Sequence, residues 1–180
     1  MFLLAAALAG CSVMPVLPVG DAKLPSAVMP FSFEGRLTVR HSDESIAGKI
    51  SWKHQLTQDQ IRLLSPFGQQ VAAIIRHNDL YQLTDGKVVI ESENIQSLTT
   101  EQLGYTLPVN SMPSCVLGIP ALPFTRQHQS LPIHINVHPW TLSYEAYTIQ
   151  EGYLLPIKMT FSTQDLTVRL IVDRWNIIAP

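Results

Sequence analysis

Short segments in which apolar and polar residues alternate dominate the pattern along the chain. Phe33 and Leu37 alternate with polar neighbours, and the same arrangement recurs around Ile50 and Trp52. An alternation of period two places one set of side chains on a single face of a β-strand. Segments of this kind cover residues 33–40, 46–53, 61–64, 71–76, 80–84 and 87–91. Because turn-forming pairs such as Asn78-Asp79 separate them, the pattern predicts an antiparallel meander with one apolar face.

The alternation returns near the C-terminus, in residues 140–144, 157–161 and 166–172. Between the two groups of strands, Thr99 and Gln102 have the spacing of a capping box, and Gly104 is placed to end a short helix. A second helix is predicted from Asn110 as its N-cap to Gly118, with a proline in its first turn. We therefore expect a mainly β fold with short helices that cover the apolar face of the sheet.

The N-terminus has the pattern of a bacterial lipoprotein signal. An apolar run over residues 2–8 leads into Leu8-Ala9-Gly10-Cys11, where small residues precede a cysteine. Small residues after such a run mark a cleavage site, and a cysteine directly after the site is the residue that receives acyl chains in bacterial lipoproteins. Cys11 is therefore predicted to anchor the protein to a membrane without spanning it. Ser12, in place of Asp, is typical of lipoproteins sent to the periplasmic face of the outer membrane.

The chain divides into three predicted parts. Residues 1–10 form the lipoprotein signal peptide, which is removed. Residues 11–30 contain four prolines and no apolar periodicity, a composition typical of an extended, lipidated tether. Residues 31–180 are long enough for one domain with a single core.

Composition and charge narrow the classes of function. Hydrophobic residues make up 46% of the chain and charged residues 14%, and the net charge is −2. This balance fits either a large core or an apolar cavity. The basic residues are scattered along the sequence, so nucleic acid is not an expected partner.

Residues that could perform chemistry are poorly placed for it. His134 and His138 would lie about 13 Å apart on a strand, too far apart to share one metal ion. Cys115 has no neighbouring base in the sequence and is expected to be buried as a small apolar residue. If Cys11 is acylated, Cys115 has no partner for an intramolecular disulfide. Since the sequence also contains none of the usual catalytic, metal or nucleotide motifs, we expect neither an enzyme nor a cofactor.

One loop places a large aromatic residue at the tip of a predicted turn. The segment Ser65-Pro66-Phe67-Gly68 lies between two predicted strands. Phe67 either folds back onto the core or contacts something outside the domain, and the pattern alone leaves both possibilities open.

Several short motifs follow the lipobox at Cys11 in a particular order. They are Phe33-Glu34-Gly35-Arg36-Leu37, Ile50-Ser51-Trp52, Leu63-Leu64-Ser65-Pro66-Phe67-Gly68, Leu103-Gly104-Tyr105-Thr106-Leu107-Pro108-Val109, Leu117-Gly118-Ile119-Pro120, Trp140-Thr141-Leu142-Ser143-Tyr144 and Leu155-Pro156-Ile157-Lys158. Their order and spacing resemble those of the LolB family of lipoprotein receptors. The resemblance covers nearly the whole mature domain. It implies an unclosed antiparallel β-barrel with helices over its mouth and an apolar cavity for acyl chains. It also implies that Pro66, Phe67 and Gly68 form an exposed loop that helps to place cargo in the membrane.

The resemblance assigns the inward face of the sheet to the acyl-chain cavity. The residues expected there are Leu37, Val39, Ile50, Trp52, Leu63, Trp140, Leu142, Tyr144, Met159 and Phe161. The implied function is a monomeric outer-membrane receptor that takes triacylated lipoproteins from a periplasmic carrier resembling LolA and inserts them into the outer membrane. Two alternatives stay open. One is a soluble carrier resembling LolA, which would lack an acylated cysteine, and the other is a structural or assembly lipoprotein whose apolar face binds a protein partner.

Two features depart from the family pattern. The prolines of the tether leave little room for the amphipathic helix that family members usually have before the first strand. Cys115 stands where the family tends to have Trp, and the smaller side chain is expected to enlarge the cavity or to loosen the packing of the helix.

Overall fold

The computed structural model describes residues 22–104, 106–107, 109–121 and 133–177. In order along the chain, the strands are β1 (Phe31–His41), β2 (Glu44–Gln55), β3 (Gln58–Leu64), β4 (Gln70–His77), β5 (Leu80–Thr84), β6 (Val89–Ser92), β7 (Ile133–Val137), β8 (Trp140–Gln150), β9 (Tyr153–Ser162) and β10 (Leu166–Ile177). The helices are α1 (Ile95–Leu103) and α2 (Met112–Val116), and a 3-10 turn, Ile119–Ala121, follows α2.

The strands form one antiparallel sheet in the order β6-β5-β4-β3-β2-β1-β10-β9-β8-β7. Its centre is the pairing of β1 with β10, which joins Phe31 to Ile177 and His41 to Leu166. β6 and β7 are the two edges, so the sheet curves without closing. This arrangement confirms the predicted mainly β fold with an unclosed antiparallel sheet. The sequence alternation identifies most strands because one face is buried and the other is solvated.

Two glycines allow neighbouring strands to approach closely. A Cβ atom on Gly35 would lie 2.3 Å from the carbonyl oxygen of Ile171, at the bulge where β1 pairs with β10. A Cβ atom on Gly48 would lie 2.4 Å from the carbonyl oxygen of Leu64 on β3. Both distances are far shorter than van der Waals contact, so any larger residue would move the backbone of the neighbouring strand.

Aromatic rings fill one end of the inner face. The ring of Phe31 packs edge to face against Trp52 and Trp175, with centroid distances of 5.5 Å to each. Phe33 packs against the same two indoles, and the Trp175 Nε1–H donates to the carbonyl oxygen of Pro156 at 2.8 Å. Edge-to-face contacts of this kind add to the free energy of apolar burial. This end of the sheet is a closed core.

The first covering helix begins earlier than the sequence predicts. Asn94 is the N-cap of α1, because its side-chain oxygen accepts from the backbone N–H groups of Gln96 and Ser97 at 3.0 and 3.1 Å. The prediction of Thr99 as the cap is wrong, since Thr99 is fully buried inside the helix. Its spacing to Gln102 imitates a capping box by coincidence. The predicted end is confirmed, with Gly104 in the left-handed conformation at φ 81°.

The N-cap of the second covering helix also differs by one residue from the prediction. Ser111 is the N-cap of α2 and makes no side-chain capping bond. Asn110, the predicted cap, accepts a hydrogen bond from the hydroxyl of Tyr81 at 2.5 Å instead. Pro113 lies in the first turn as expected, and the helix ends at Val116, two residues before the predicted Gly118.

Residues 22–30 contact the sheet, although their composition places them in the tether. Lys23 forms a parallel bridge with Tyr153 at the start of β9: its N–H donates to Gly152 at 2.7 Å and its carbonyl oxygen accepts from Leu154 at 2.9 Å. Met29 is buried in the core. No helix occurs within residues 22–30, and the predicted lipid attachment residue Cys11 lies outside the described residues.

Candidate functional site

Two adjacent apolar hollows lie between the inner face of the sheet and its cover, which consists of α1, α2 and the described residues between them. The first hollow has a volume of about 90 Å³ and is lined mainly by β1 to β5. The second hollow has a volume of about 40 Å³ and is lined in equal part by β7 to β9 and by the cover. Both are lined by Leu107 and Met112 from the cover and by Val168 from β10. These three residues therefore form the boundary between the hollows.

Most of the residues predicted to line a cavity lie in one of these hollows. Leu37, Val39, Ile50 and Leu63 line the first hollow, and Trp140, Leu142 and Phe161 line the second. Three predicted residues line neither. Trp52 belongs to the aromatic packing around Phe31, and Tyr144 and Met159 are fully buried in the closed core. The binding of acyl chains by the lining residues stays a prediction.

The boundary residues were absent from the predicted site. Leu107 lies between α1 and α2, and Met112 is the first residue of α2. Neither segment has a strand pattern, so period-two reasoning could not place them against the sheet. Val168 does follow the alternation of β10, so the sequence places it on the inner face. In the structure it lies opposite Phe161 and Val39.

The hollows are small in this conformation. A space that admits one water-sized sphere has about 10–15 Å³ of such volume, so the two hollows together would admit roughly ten such spheres. A long acyl chain needs far more room. The predicted binding of acyl chains would therefore require the cover that holds Leu107 and Met112 to move away from the sheet.

Phe67 lies at the tip of the turn between β3 and β4, with 93% of its surface exposed. The turn is held by two backbone bonds, from Gly68 to the carbonyl oxygen of Ser65 at 2.9 Å and from Ser65 to that of Gln69 at 2.8 Å. Gly68 has a φ of 86°, a conformation that favours glycine. The expected exposure of Phe67 is confirmed, while its role at a membrane stays a prediction.

The turn and the first hollow lie at the same end of the sheet. Leu63 lines the hollow, and β3 ends one residue later at Leu64, directly before the turn. The aromatic packing around Phe31 fills the opposite end. The apolar interior is therefore closed at one end and reaches the base of the exposed turn at the other.

A buried polar cluster lies beside the aromatic packing and was not predicted. The Asp59 carboxylate accepts from Trp52 Nε1 at 2.8 Å, from His54 Nδ1 at 2.6 Å and from Arg76 Nε at 2.6 Å. Asp59 and His54 are both buried. The sequence does carry a signal, because these polar residues occupy positions that the alternation assigns to the inner face. Asp59 lies two positions before Ile61, and His54 lies two positions after Trp52.

The hydrogen bonds of this cluster keep Asp59 ionised. Burial alone raises the pKa of a carboxyl group, since the charged form loses hydration. The bonds from His54, Trp52 and Arg76 outweigh that effect and hold the pKa of Asp59 below its ordinary value. The cluster joins β2, β3 and β4 and gives the closed end of the sheet a fixed structure.

Cys115 belongs to α2 in the cover and lines the second hollow, Tyr144 lies beneath it on β8, and both are chemically quiet. Burial raises the pKa of the Cys115 thiol to about 11, so it stays protonated at neutral pH. Its carbonyl oxygen accepts from the Tyr144 hydroxyl at 2.8 Å, which fixes α2 to β8. Burial also raises the pKa of Tyr144.

The described residues contain neither a metal-binding cluster nor a helix that could span a membrane. Their His, Cys, Asp and Glu side chains include no group of three placed to hold a metal ion. Within the same residues, no helix has the length and apolar character needed to cross a membrane.

These features define the class of protein to which the chain belongs, one in which an unclosed antiparallel sheet carries its apolar inner face under a short helical cover. A LolA superfamily protein from Nitrosomonas europaea has a similar solved structure, with a TM-score of 0.51 over 92% of this chain and 93% of that chain. The two are 9% identical in sequence, so this likeness concerns the fold alone. The family model described as Outer membrane lipoprotein LolB matches residues 29–175, and the chain belongs to that family.

Relatives in the family match over most of their length. The outer-membrane lipoprotein LolB of Thiobacillus denitrificans is 33% identical, over 96% of this chain and 94% of the relative. That of Nitrosomonas europaea is 34% identical, over 82% of this chain and 73% of the relative. The family predicted from the sequence motifs is confirmed.

Proposed function

We propose that this protein is a lipid-anchored receptor on the periplasmic face of the outer membrane. It accepts triacylated lipoproteins from a periplasmic carrier resembling LolA and inserts them into the outer membrane. Membership of the LolB family supports this function. The protein acts as a monomer, and Cys11 supplies the anchor.

The observation that carries the proposal is the position of the hollows. They form an apolar space on the inner face of the sheet that reaches the base of the exposed Phe67 turn. Acyl chains in such a space are removed from water, which is favourable in proportion to the apolar area buried. No covalent step is required, so the protein needs neither a cofactor nor a catalytic residue.

The small volume of the hollows suggests how affinity is limited. Acyl chains would have to displace Leu107 and Met112 from their contacts with Val168, at a cost in packing. That cost lowers the net affinity for acyl chains, although the apolar area that the chains bury against the sheet is unchanged. A receptor that must release its cargo benefits from such a balance.

The proposal is tested with a pair of variants on β1. Val39 lines the first hollow and is only partly buried, whereas its neighbour Thr38 points to the outer face. Val39→Trp should fill space that acyl chains would occupy. Excluding roughly two methylene groups at about 0.8 kcal/mol each weakens cargo acceptance about tenfold. Thr38→Trp adds the same side chain outside the hollow and should leave acceptance unchanged.

The assay uses a Cys11→Ala background, exported by another signal so that the receptor stays free of the membrane. Carrier loaded with a triacylated lipoprotein is mixed with the receptor, and the cargo on each protein is quantified. Thermal unfolding establishes that both Trp variants are folded. Equal acceptance by both variants would contradict the proposed site.

The same assay separates the alternatives. A soluble carrier would show no acylation of Cys11 by mass spectrometry of the native protein. An assembly lipoprotein would accept no cargo in the Cys11→Ala background, but it would copurify with a stable protein partner.

A further inference from the structure

The outward face of β2 to β5 has a uniform sign of charge. Lys49 and Lys53 on β2 and Arg62 on β3 point outward and are exposed. Of the two carboxylates on these four strands, Asp59 is buried on the inner face and Glu44 is exposed at the first position of β2, in the register that alternates with Lys49 and Lys53. We call this surface, the outward side chains of β2 to β5, the basic face.

The three basic side chains of this face form no ion pair within the part of the chain that the structure describes, and the outward carboxylate of the neighbouring strand β1, Glu34, lies opposite Ser51, between Lys49 and Lys53. Elsewhere on the sheet, basic residues form ion pairs, as Arg36 does with Asp173 at 2.8 Å and Lys158 with Glu145 at 2.7 Å. Lys49, Lys53 and Arg62 make no such pair with any residue in the described ranges. The chain as a whole has a net charge of −2, so positive charge is concentrated here against the overall balance.

Exposed apolar side chains lie among these charges. Ile75 on β4 is 37% exposed and pairs with Gln60, which in turn pairs with Lys53. Val71, at the bulge that begins β4, is 47% exposed. The turn between β3 and β4 then presents Phe67, so apolar and basic groups share one continuous surface.

We propose that the basic face binds the headgroups of an anionic phospholipid bilayer while Phe67 enters it. Surfaces that combine exposed apolar side chains with Lys and Arg bind the interface of anionic membranes through both kinds of group. This inference rests on the proposed function, because it gives the bilayer that receives the cargo a second contact beside the Phe67 turn.

Continuity with the turn favours a bilayer over an acidic protein as the occupant. Phe67 lies at the tip of the turn that joins the strands of Arg62 and Ile75, and its side chain is almost fully exposed. The ring can therefore enter the apolar interior of a bilayer while these strands lie against the bilayer surface. The positive charges then face phosphate groups at the bilayer surface. These charges also orient the domain on the bilayer, because the electrostatic attraction to phosphate acts only on the side of the turn that carries the basic face.

The experiment measures partition of the unloaded full chain, carrying Cys11→Ala, onto lipid vesicles. One set of vesicles is phosphatidylcholine alone, and in the other a part is replaced by anionic phosphatidylglycerol. Each basic residue near an anionic surface contributes about fivefold in partition, from about 1 kcal/mol per charge. The triple variant Lys49→Gln, Lys53→Gln, Arg62→Gln should therefore lose up to about 100-fold of the binding to anionic vesicles. Added salt should weaken the wild type and leave the variant little changed.

A matched control removes three positive charges elsewhere. Arg40, Lys87 and Arg174 are exposed and lie outside the basic face. Replacing these three with Gln gives the same net charge and should retain most of the preference for anionic vesicles. Equal binding by the two triple variants would overturn the inference.

Two further results separate this inference from the proposed function. If the face variant binds anionic vesicles normally but no longer accepts cargo from the carrier, the face docks an acidic protein and the inference is wrong. If the face variant loses vesicle binding while the wild type fails to accept cargo at all, the inference stands and the proposed function fails.

Discussion

At the scale of single residues, Asp59 shows how one buried side chain joins three strands. Its ionised carboxylate can only accept hydrogen bonds, so Trp52, His54 and Arg76 all donate to it. Two of these donors come from β2 and one from β4, the strands on either side of β3. Removing one partner of a buried charge pair is costly because the other charge is left uncompensated.

Asp59→Asn should lower the free energy of unfolding by about 3 kcal/mol at neutral pH, since Arg76 loses its ionic partner in a mostly buried position. Asp173→Asn is the matched control, because it breaks the exposed pair with Arg36 and should cost less than about 1 kcal/mol. Urea denaturation of both variants at pH 7 measures the difference.

The effect of Asp59→Asn should also depend on pH. The folded-state pKa of Asp59 lies below its unfolded value of about 3.9, so the stabilisation is complete above that value and is lost as the pH falls through the folded pKa. The gap between wild type and variant should therefore narrow below about pH 4. A gap that stayed constant with pH would show that packing, and not charge, explains the loss.

Phe67→Glu should separate release from capture. The variant should accept cargo from the carrier yet fail to insert it into liposomes, because a charged tip does not enter an apolar phase. Stability should change by no more than about 0.5 kcal/mol, as the ring is almost fully exposed. Gln69→Glu adds the same charge to the same turn and should still insert cargo. Normal insertion by Phe67→Glu would remove the proposed role.

At the scale of elements, the pairing of β1 with β10 depends on how closely the two backbones approach. Gly35 lies at the bulge in this pairing, and the carbonyl oxygen of Ile171 occupies the space that a Cβ atom would need. The two strands are remote in sequence and form the centre of the sheet. A defect at this point therefore affects the contact that joins the N-terminal and C-terminal groups of strands.

Gly35→Ala should lower the free energy of unfolding by about 1–3 kcal/mol, the usual cost of inserting atoms into a packed site. The loss should appear as faster amide exchange in β1 and β10. Thr38→Ala, on the outward side of the same strand, should cost less than about 1 kcal/mol. Comparable losses in the two variants would mean that the close approach at Gly35 does not limit stability.

The strands could be predicted from the sequence because burial on one face imposes a period of two. The helix starts could not be predicted as well, since several residues can cap a helix and tertiary contacts choose among them. Asn110 illustrates this: a good cap by residue type, it bonds to Tyr81 from a distant strand instead. Thr99 is similar, because burial under the cover decides its place within α1.

The candidate site was predictable to the extent that it lies on strands. Val39 and Ile50 follow from alternation, whereas Leu107 and Met112 reach the hollow from the cover, whose path depends on contacts far apart in sequence. Alternation also cannot separate a residue beside a hollow from one in closed packing. For this reason Trp52 was assigned to the cavity although it packs among aromatic rings.

At the scale of the whole molecule, the two ends of the sheet have different roles. Aromatic rings and the Asp59 cluster close one end, and the hollows reach the Phe67 turn at the other. Rigid packing at the closed end holds the strands in register.

The bridge between Lys23 and Tyr153 fixes where the anchoring segment meets the domain. Tyr153 begins β9, whereas the Phe67 turn lies toward the end of the sheet where β9 finishes, about 30 Å away along a strand of ten residues. With Cys11 acylated as proposed, the eleven residues from there to Ala22 reach at most about 40 Å. The tether and the strand together reach at most about 70 Å from the anchor, so the turn can touch the bilayer that holds the anchor, and a facing membrane farther away than that stays out of its reach. Delivery to the correct membrane is then a matter of distance as well as of recognition.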